Sequence, residues 1–126
     1  MILVVGGTKG GSGKTLLATS LSVLRTAAGQ DVLLIDADEQ GSAMDFTRQR
    51  QRRTEGDAGY TAIQTREADV TVQVRRMVQK YGDIVIDVQP VSYDFALISK
   101  SYYTNKYQGS YYESSHPSSS SISSRQ

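Results

Sequence analysis

A glycine-rich segment near the amino terminus carries the strongest chemical signal in the sequence. It comprises Gly6-Gly7-Thr8-Lys9-Gly10-Gly11-Ser12-Gly13-Lys14-Thr15, it follows the apolar run 2–5, and a helical pattern begins near its end. Glycines let backbone N–H groups approach phosphate oxygens, and the start of a helix adds further N–H donors and a positive dipole end. A strand, this loop and a helix in succession therefore predict a phosphate-binding site.

The residue types in this loop suggest a division of tasks. Lys14 would reach the β- and γ-phosphates of a nucleotide, and the Thr15 hydroxyl would complete the shell of a Mg²⁺ ion. The general pattern G-x-x-x-x-G-K-[ST] is missed at one position, because Thr8 stands where its first glycine should be. A glycine-rich turn with two exposed lysines is the weaker alternative. The expected nucleotide-binding residues are Gly10, Gly11, Ser12, Gly13, Lys14 and Thr15.

A second lysine precedes the usual one, in the stretch Lys9-Gly10-Gly11-Ser12-Gly13-Lys14-Thr15. This stretch resembles the deviant Walker A ATPases, which comprise ParA-type partition proteins, MinD-type division-site proteins and the nitrogenase iron protein. The resemblance implies ATP and Mg²⁺ as cofactors. It also implies an ATP-dependent homodimer, in which Lys9 crosses the interface to contact the nucleotide of the other subunit.

Three aspartates lie where apolar runs end. The segment 36–42 resembles the first switch of ParA-type proteins, and Glu39 replaces the usual proline. The resemblance implies that Asp38 orients the attacking water and that Asp36 lies near the metal. Asp87 occupies the position of a Walker B aspartate, which holds Mg²⁺ through a water molecule. The alternatives are a turn with exposed carboxylates at 36–38 and a capping or turn residue at 87.

Hydrophobic periodicity predicts an alternation of strands and helices. Apolar runs without alternation predict strands covered on both faces, which are typical of a parallel sheet between helices. The fold class is therefore α/β, of the P-loop NTPase type in partial form. Ligands bind beyond the carboxyl ends of such strands, which collects Lys14, Asp36, Asp38 and Asp87 in one site. The predicted strands are 1–5, 32–35, 60–64 and 83–88, and the predicted helices are 14–28, 42–53 and 67–81.

Single residues mark several of these boundaries. Leu17, Leu21, Leu24 and Ala28 recur at helical spacing, and Gly29 is expected to end that helix. Ser42 is expected to cap the second helix through its hydroxyl.

The sequence changes character after the fourth strand. Residues 1–100 are predicted to form an incomplete P-loop ATPase domain, and 101–126 a disordered tail rich in Ser and Tyr. Gln89-Pro90-Val91 stands where the resembling family has a second switch, and we hypothesise that an internal deletion accounts for this departure. A missing strand would leave the edge of strand 1–5 open unless Phe95-Ala96-Leu97-Ile98 replaces it.

Composition excludes several classes of protein. The chain of 126 residues has no cysteine, which excludes disulfides and the iron–sulfur branch of the resembling family. A net charge of +1 excludes a strongly basic nucleic-acid binder. Arginines do cluster at 48–53 and at 75–76, although an exposed helix face is favoured over a DNA surface. With no membrane-length apolar run and no signal peptide, a cytoplasmic or nucleoid-associated location is expected.

These observations favour a ParA-like ATPase for plasmid or chromosome partition or for intracellular positioning. The resemblance implies weak ATP hydrolysis stimulated by a ParB-like activator protein, with DNA bound without sequence preference and no membrane partner. Two alternatives stay open, a catalytically inactive nucleotide-binding module and a non-functional truncated fragment.

Overall fold

The computed structural model describes residues 1–6 and 12–88, with the backbone alone at Ser12. Lys9, Gly10, Gly11, the Phe95–Ile98 segment and the predicted tail lie outside the described residues. The strands are β1 (Ile2–Val5), β2 (Val32–Asp36), β3 (Thr61–Gln64) and β4 (Asp83–Asp87). The helices are α1 (Ser12–Ala27), α2 (Ser42–Arg53) and α3 (Val70–Met77), with a 3₁₀ turn at Glu67–Asp69 before α3.

The four described strands form one parallel sheet in the order β1-β4-β2-β3. Helices α1 and α2 cover one face of this sheet, and α3 covers the other. Every residue of β2 and β4 is buried, because both strands lie inside the sheet between two helical layers. The α/β fold predicted from the sequence is therefore confirmed.

Strand β1 differs from its prediction as a fully buried strand. Only Val5 is buried, and Ile2, Leu3 and Val4 are half-buried. The reason is position, since β1 lies at an edge of the sheet within the described residues.

Helix α1 also buries a different face from the one its leucines suggest. Leu17 and Leu24 are 52% and 63% exposed, whereas Ala18, Thr19 and Ser22 are fully buried against the sheet. The hydroxyls of Thr19 and Ser22 donate to carbonyl oxygens one turn earlier in the same helix, so both are paired despite their burial. Small side chains let α1 lie close to the sheet, and the leucines occupy its flank.

The remaining boundaries follow the sequence closely. Gly29 ends α1 with φ +90°, and its N–H donates to the carbonyl oxygen of Thr26 at 2.9 Å. The predicted helix 67–81 is shorter than expected, because it begins as the 3₁₀ turn and its α-helical part ends at Met77. Val70 and Val74 form its buried face, as their spacing indicates.

Asp83 fixes the amino end of β4 to its neighbours. Its carboxylate accepts a hydrogen bond from Arg25 Nε at 2.6 Å and lies 3.1 Å from the amino group of Met1. Burial alone would raise the pKa of Asp83, but the hydrogen bonds from Arg25 and the terminal amine outweigh it and lower the pKa. A lowered carboxyl pKa stabilises the fold above the pKa of the unfolded chain, and this stabilisation disappears as the pH falls through the folded-state pKa.

We expect Asp83→Asn to lower the free energy of unfolding by about 1 kcal/mol near neutral pH, because Arg25 is partly exposed and solvent screens the pair. Urea unfolding at a series of pH values should show this difference shrinking below about pH 4. Asp45→Asn is the matched control, since its pair with Arg48 is exposed. A deficit of the same size at every pH would contradict the ionic origin.

Candidate functional site

The candidate site lies where the carboxyl ends of β2 and β4 meet the first turn of α1. Asp36 and Asp87 end these two adjacent strands and lie directly opposite each other in the register. Both side chains point to the face that α1 and α2 cover, because each lies two residues after a core residue of that face, Leu34 or Val85. Both aspartates are fully buried. The carboxylates of Asp36 and Asp87 are therefore neighbours on adjacent strands, and their like charges repel each other.

Lys14 bridges the acidic groups. Its ammonium donates to Asp38 Oδ2 at 3.0 Å and to Asp87 Oδ1 at 2.5 Å. The Lys14 side chain is only 7% exposed. Burial alone would lower the pKa of Lys14, but the hydrogen bonds and charges of Asp87 and Asp38 raise it above its usual value. Lys14 therefore stays protonated and serves as the counter-charge of both carboxylates.

Thr15 contacts the second oxygen of the same aspartate. Its hydroxyl donates to Asp87 Oδ2 at 3.1 Å. Both carboxylate oxygens of Asp87 are thus bonded to consecutive residues in the first turn of α1. The two side chains predicted to serve the metal are adjacent in the structure.

Asp36 organises the start of α2. One of its oxygens accepts the backbone N–H of Asp38 at 3.1 Å, and the other accepts that of Met44 at 2.9 Å. Burial raises the pKa of Asp36, as do the charges of Asp87 and Asp38, and the two backbone hydrogen bonds oppose this rise. Its expected place near a metal stays a prediction.

The cap of α2 corrects the expectation for Ser42. Ser42 is already helical, and the cap position is held by Gly41, which makes no side-chain cap bond. In the first turn of α2, the backbone N–H of Met44 donates to the Asp36 carboxylate instead. No local sequence pattern reveals this cap, because acceptor and donor are eight residues apart.

The loop between β2 and α2 has a fixed conformation. Asp38 accepts the N–H of Gln40 at 2.9 Å through the oxygen that does not bind Lys14. Gly41 adopts φ +67°, and a Cβ at that position would lie 2.9 Å from the side-chain nitrogen of Gln64. This turn needs glycine and holds Asp38 toward α1.

The described residues include only the end of the predicted phosphate loop. Lys9, Gly10 and Gly11 lie outside the described residues, as does the side chain of Ser12. Gly13 is described, and a Cβ built there meets no described atom within 4 Å.

The oxygen atoms of Thr15 and Asp87 are suited to a magnesium ion whose other ligands are phosphate oxygens and water. Within residues 1–6 and 12–88, no group of three or more acidic, histidine or cysteine side chains has the arrangement of a metal site. The Thr15 hydroxyl and the Asp87 carboxylate are oxygen donors of the kind that Mg²⁺ takes, and Mg²⁺ in nucleotide sites completes its shell with phosphate oxygens and water. These two residues would hold the ion.

A separate groove of about 950 Å³ lies beyond the carboxyl ends of β2 and β3. Residues 37–40 and 64–68 line it. Among the residues that the structure describes, it shares only Asp38 with the contacts of Lys14. The groove therefore lies next to the Lys14 cluster and meets it at Asp38.

Comparison with protein-family models matches residues 3–118 to the CobQ/CobB/MinD/ParA nucleotide binding domain. The matched range contains every described site residue and extends 30 residues beyond Val88. A comparison with curated proteins gave no match. None of the described helices has the length and apolar character needed to cross a membrane.

Removal of the counter-charge should destabilise the nucleotide-free protein. We expect Lys14→Met to lower the free energy of unfolding by about 3 kcal/mol, because Asp38 and Asp87 would stay buried without a cation. The exposed Lys80 is the matched control, and Lys80→Met should change stability by less than about 0.5 kcal/mol. Urea unfolding measures both variants, and equal stability of Lys14→Met and wild type would refute this role of Lys14.

Proposed function

Because the chain belongs to the CobQ/CobB/MinD/ParA nucleotide-binding domain family, we propose that it is a ParA-like ATPase that binds ATP with Mg²⁺. The observation that carries the proposal is the buried Lys14 ammonium, held between Asp38 and Asp87 in the first turn after a glycine-rich loop. An ammonium at that position can move from carboxylates to phosphates over a short distance.

Binding of ATP exchanges one set of anions for another. The β- and γ-phosphates take the Lys14 ammonium from the carboxylates, and the N–H groups at the start of α1 bind the same phosphates. Mg²⁺, when bound, neutralises charge on the phosphate oxygens, with Thr15 and Asp87 as its protein partners. Asp36 keeps the loop before α2 in place while this exchange occurs.

Hydrolysis requires a water molecule in line with the γ-phosphate. The water oxygen forms a bond to phosphorus while the bond to the β–γ bridging oxygen breaks, which yields ADP and phosphate. Asp38, released by Lys14, is the carboxylate that orients this water. The adjacent Glu39 is exposed to solvent, unlike the buried Asp38 beside Lys14.

The cellular role follows the resembling proteins. The active form would be an ATP-dependent homodimer in which Lys9 contacts the nucleotide of the partner, and a ParB-like activator would stimulate hydrolysis. We propose partition or positioning of a DNA cargo, with DNA bound without sequence preference. The arginines of α2 give this little support, because Arg48 pairs with Asp45 and Arg50 donates to the Ala58 carbonyl oxygen.

A second candidate is a nucleotide-binding module without turnover. It is favoured by the residues after Asp87, where Gln89-Pro90-Val91 replaces the second switch expected from the resemblance. Nucleotide binding is common to both candidates, and hydrolysis distinguishes them.

Titration of a fluorescent ATP analogue with Mg²⁺ tests the shared claim. We expect saturable binding to wild type and at least a hundredfold weaker binding to Lys14→Ala, because charge-assisted contacts to two phosphates are lost. Lys80→Ala removes the same charge from an exposed turn and should bind like wild type. Equal affinity of the two variants, or no binding to folded wild-type protein, would reject the assignment.

Steady-state phosphate release separates the two candidates. If Asp38 positions the water, Asp38→Ala should reduce the rate by about 100-fold or more without weakening nucleotide binding. Glu39→Ala, one residue away and exposed, should retain the rate. No phosphate release from wild type, alone or with DNA, would favour the binding module, and an unchanged rate in Asp38→Ala would remove Asp38 from the mechanism.

A further inference from the structure

Asp38 begins a hydrogen-bonded turn, residues 38–41, which we call the Asp38 turn. The Asp38 side-chain Oδ1 accepts the N–H of Gln40 at 2.9 Å, and the Asp38 carbonyl oxygen accepts the N–H of Gly41 at 3.0 Å. The Gly41 carbonyl oxygen accepts the N–H of Asp45 at 3.0 Å, so the Asp38 turn leads directly into α2. The direction of the Asp38 carboxylate therefore depends on where Gly41 lies.

Gln64 reaches the Asp38 turn from the neighbouring strand. It ends β3 directly opposite Asp36, and the N–H of Thr65 donates to the Asp36 carbonyl oxygen at 3.0 Å, so the backbone at Gln64 is fixed to β2. Ala62, two residues before Gln64, packs against the core beneath α1 and α2. Because side chains alternate along a strand, the Gln64 side chain points to this same face of the sheet.

The carboxamide of Gln64 lies against Gly41. A Cβ built on Gly41 would lie 2.9 Å from Nε2, 3.6 Å from Cδ and 3.8 Å from Oε1 of Gln64. The amide group therefore fills the space beside the Gly41 Cα that a side chain at position 41 would otherwise take. Gly41 holds the cap position of α2 without a side chain of its own, and the contact with Gln64 is one of van der Waals packing.

The same side chain lines the groove beyond the carboxyl ends of β2 and β3. The lining of this groove includes residues 37–40, which contain most of the Asp38 turn, and residues 64–68. Gln64 is exposed to solvent and contacts Gly41, so it connects the β3 side of the groove to the Asp38 turn. A displacement of the Gln64 side chain should therefore change the position of Asp38.

We propose that Gln64 is a positioning residue for Asp38, an inference that rests on the proposed ATPase function. In the nucleotide-free protein Lys14 also holds the Asp38 carboxylate, at 3.0 Å. Once phosphates take the Lys14 ammonium, this bond is lost, whereas the packing of Gln64 on Gly41 persists. Gln64 therefore contributes most when Asp38 orients the attacking water, and it contributes little to the stability of the whole fold.

Hydrogen exchange in the nucleotide-free protein tests the contact independently of ATP. We expect Gln64→Ala to speed exchange of the Gln40 amide about fivefold, because this N–H is bonded to Asp38 and is released when the Asp38 turn opens. The Leu34 amide, in the buried strand β2, should keep its exchange rate, which separates a local opening from a global loss of stability. Thr61→Ala, at the other exposed end of β3, is the matched control and should change neither rate.

Phosphate release at saturating ATP tests the catalytic consequence. Gln64→Ala should lower the rate about fivefold without weakening nucleotide binding, because a less well-positioned Asp38 affects the chemical step and not the hold on the phosphates. Gln64→Met keeps the length of the side chain and should restore most of the rate, since the contact is one of packing. An unchanged rate in Gln64→Ala, or a loss that Gln64→Met does not restore, would overturn the proposal.

Two glycines with positive φ show whether Gln64 acts through Gly41. Gly41→Ala displaces the carboxamide, so adding Gln64→Ala should then change exchange of the Gln40 amide by less than about twofold. Gly56 has φ +97° and open space around its Cβ position, so in the Gly56→Ala background Gln64→Ala should keep its full effect.

Equal effects of Gln64→Ala in the two glycine variants would overturn the proposal, as would an unchanged exchange rate of the Gln40 amide in Gln64→Ala alone. The absence of phosphate release from wild type would reject the ATPase function instead. The exchange measurements would then decide by themselves whether Gln64 holds the Asp38 turn.

Discussion

The structure depends on the balance between three buried carboxylates and one buried ammonium. Asp36 and Asp87 end adjacent strands at the same level, Asp38 follows two residues later, and Lys14 is bonded to two of the three. Like charges this close in a dry environment are costly unless each is paired or hydrogen-bonded. Backbone N–H groups satisfy Asp36, and Lys14 with Thr15 satisfies Asp87. A ligand that brings phosphates competes for the same ammonium.

The rest of the fold keeps these groups at fixed positions. Arg25 and Thr15 tie the two ends of α1 to the two ends of β4, so the helix cannot slide along the strand. Backbone hydrogen bonds continue past the strands, from Val88 to Val5 and from Ala37 to Asp87. The side chains of Lys14, Thr15 and Asp87 are therefore carried by regular secondary structure or by the residue that ends it, which fixes their relative positions.

The sequence predicted the fold class and the meeting of Lys14 with Asp38 and Asp87, because strand ends of a parallel sheet share one edge. It could not predict that small residues form the buried face of α1, since leucines at helical spacing do not indicate which side the sheet will take. The cap of α2 by Asp36 was also hidden, because it depends on a contact eight residues away. Strand β1 is only half-buried because it lies at an edge of the described sheet. The hydrophobic periodicity of a sequence does not indicate the order of strands in a sheet.

The central claim is that Asp38 and Asp87 hold Lys14 until phosphates displace them, and ATP binding without divalent metal tests it most directly. Calorimetric titration of ATP in EDTA compares wild type with Asp38→Asn, which loses one charge and loosens one bond to Lys14 while retaining the side-chain shape. The account predicts about tenfold tighter binding to Asp38→Asn, equivalent to about 1.4 kcal/mol. Unchanged or weaker binding would show that the carboxylates do not compete with phosphate for Lys14.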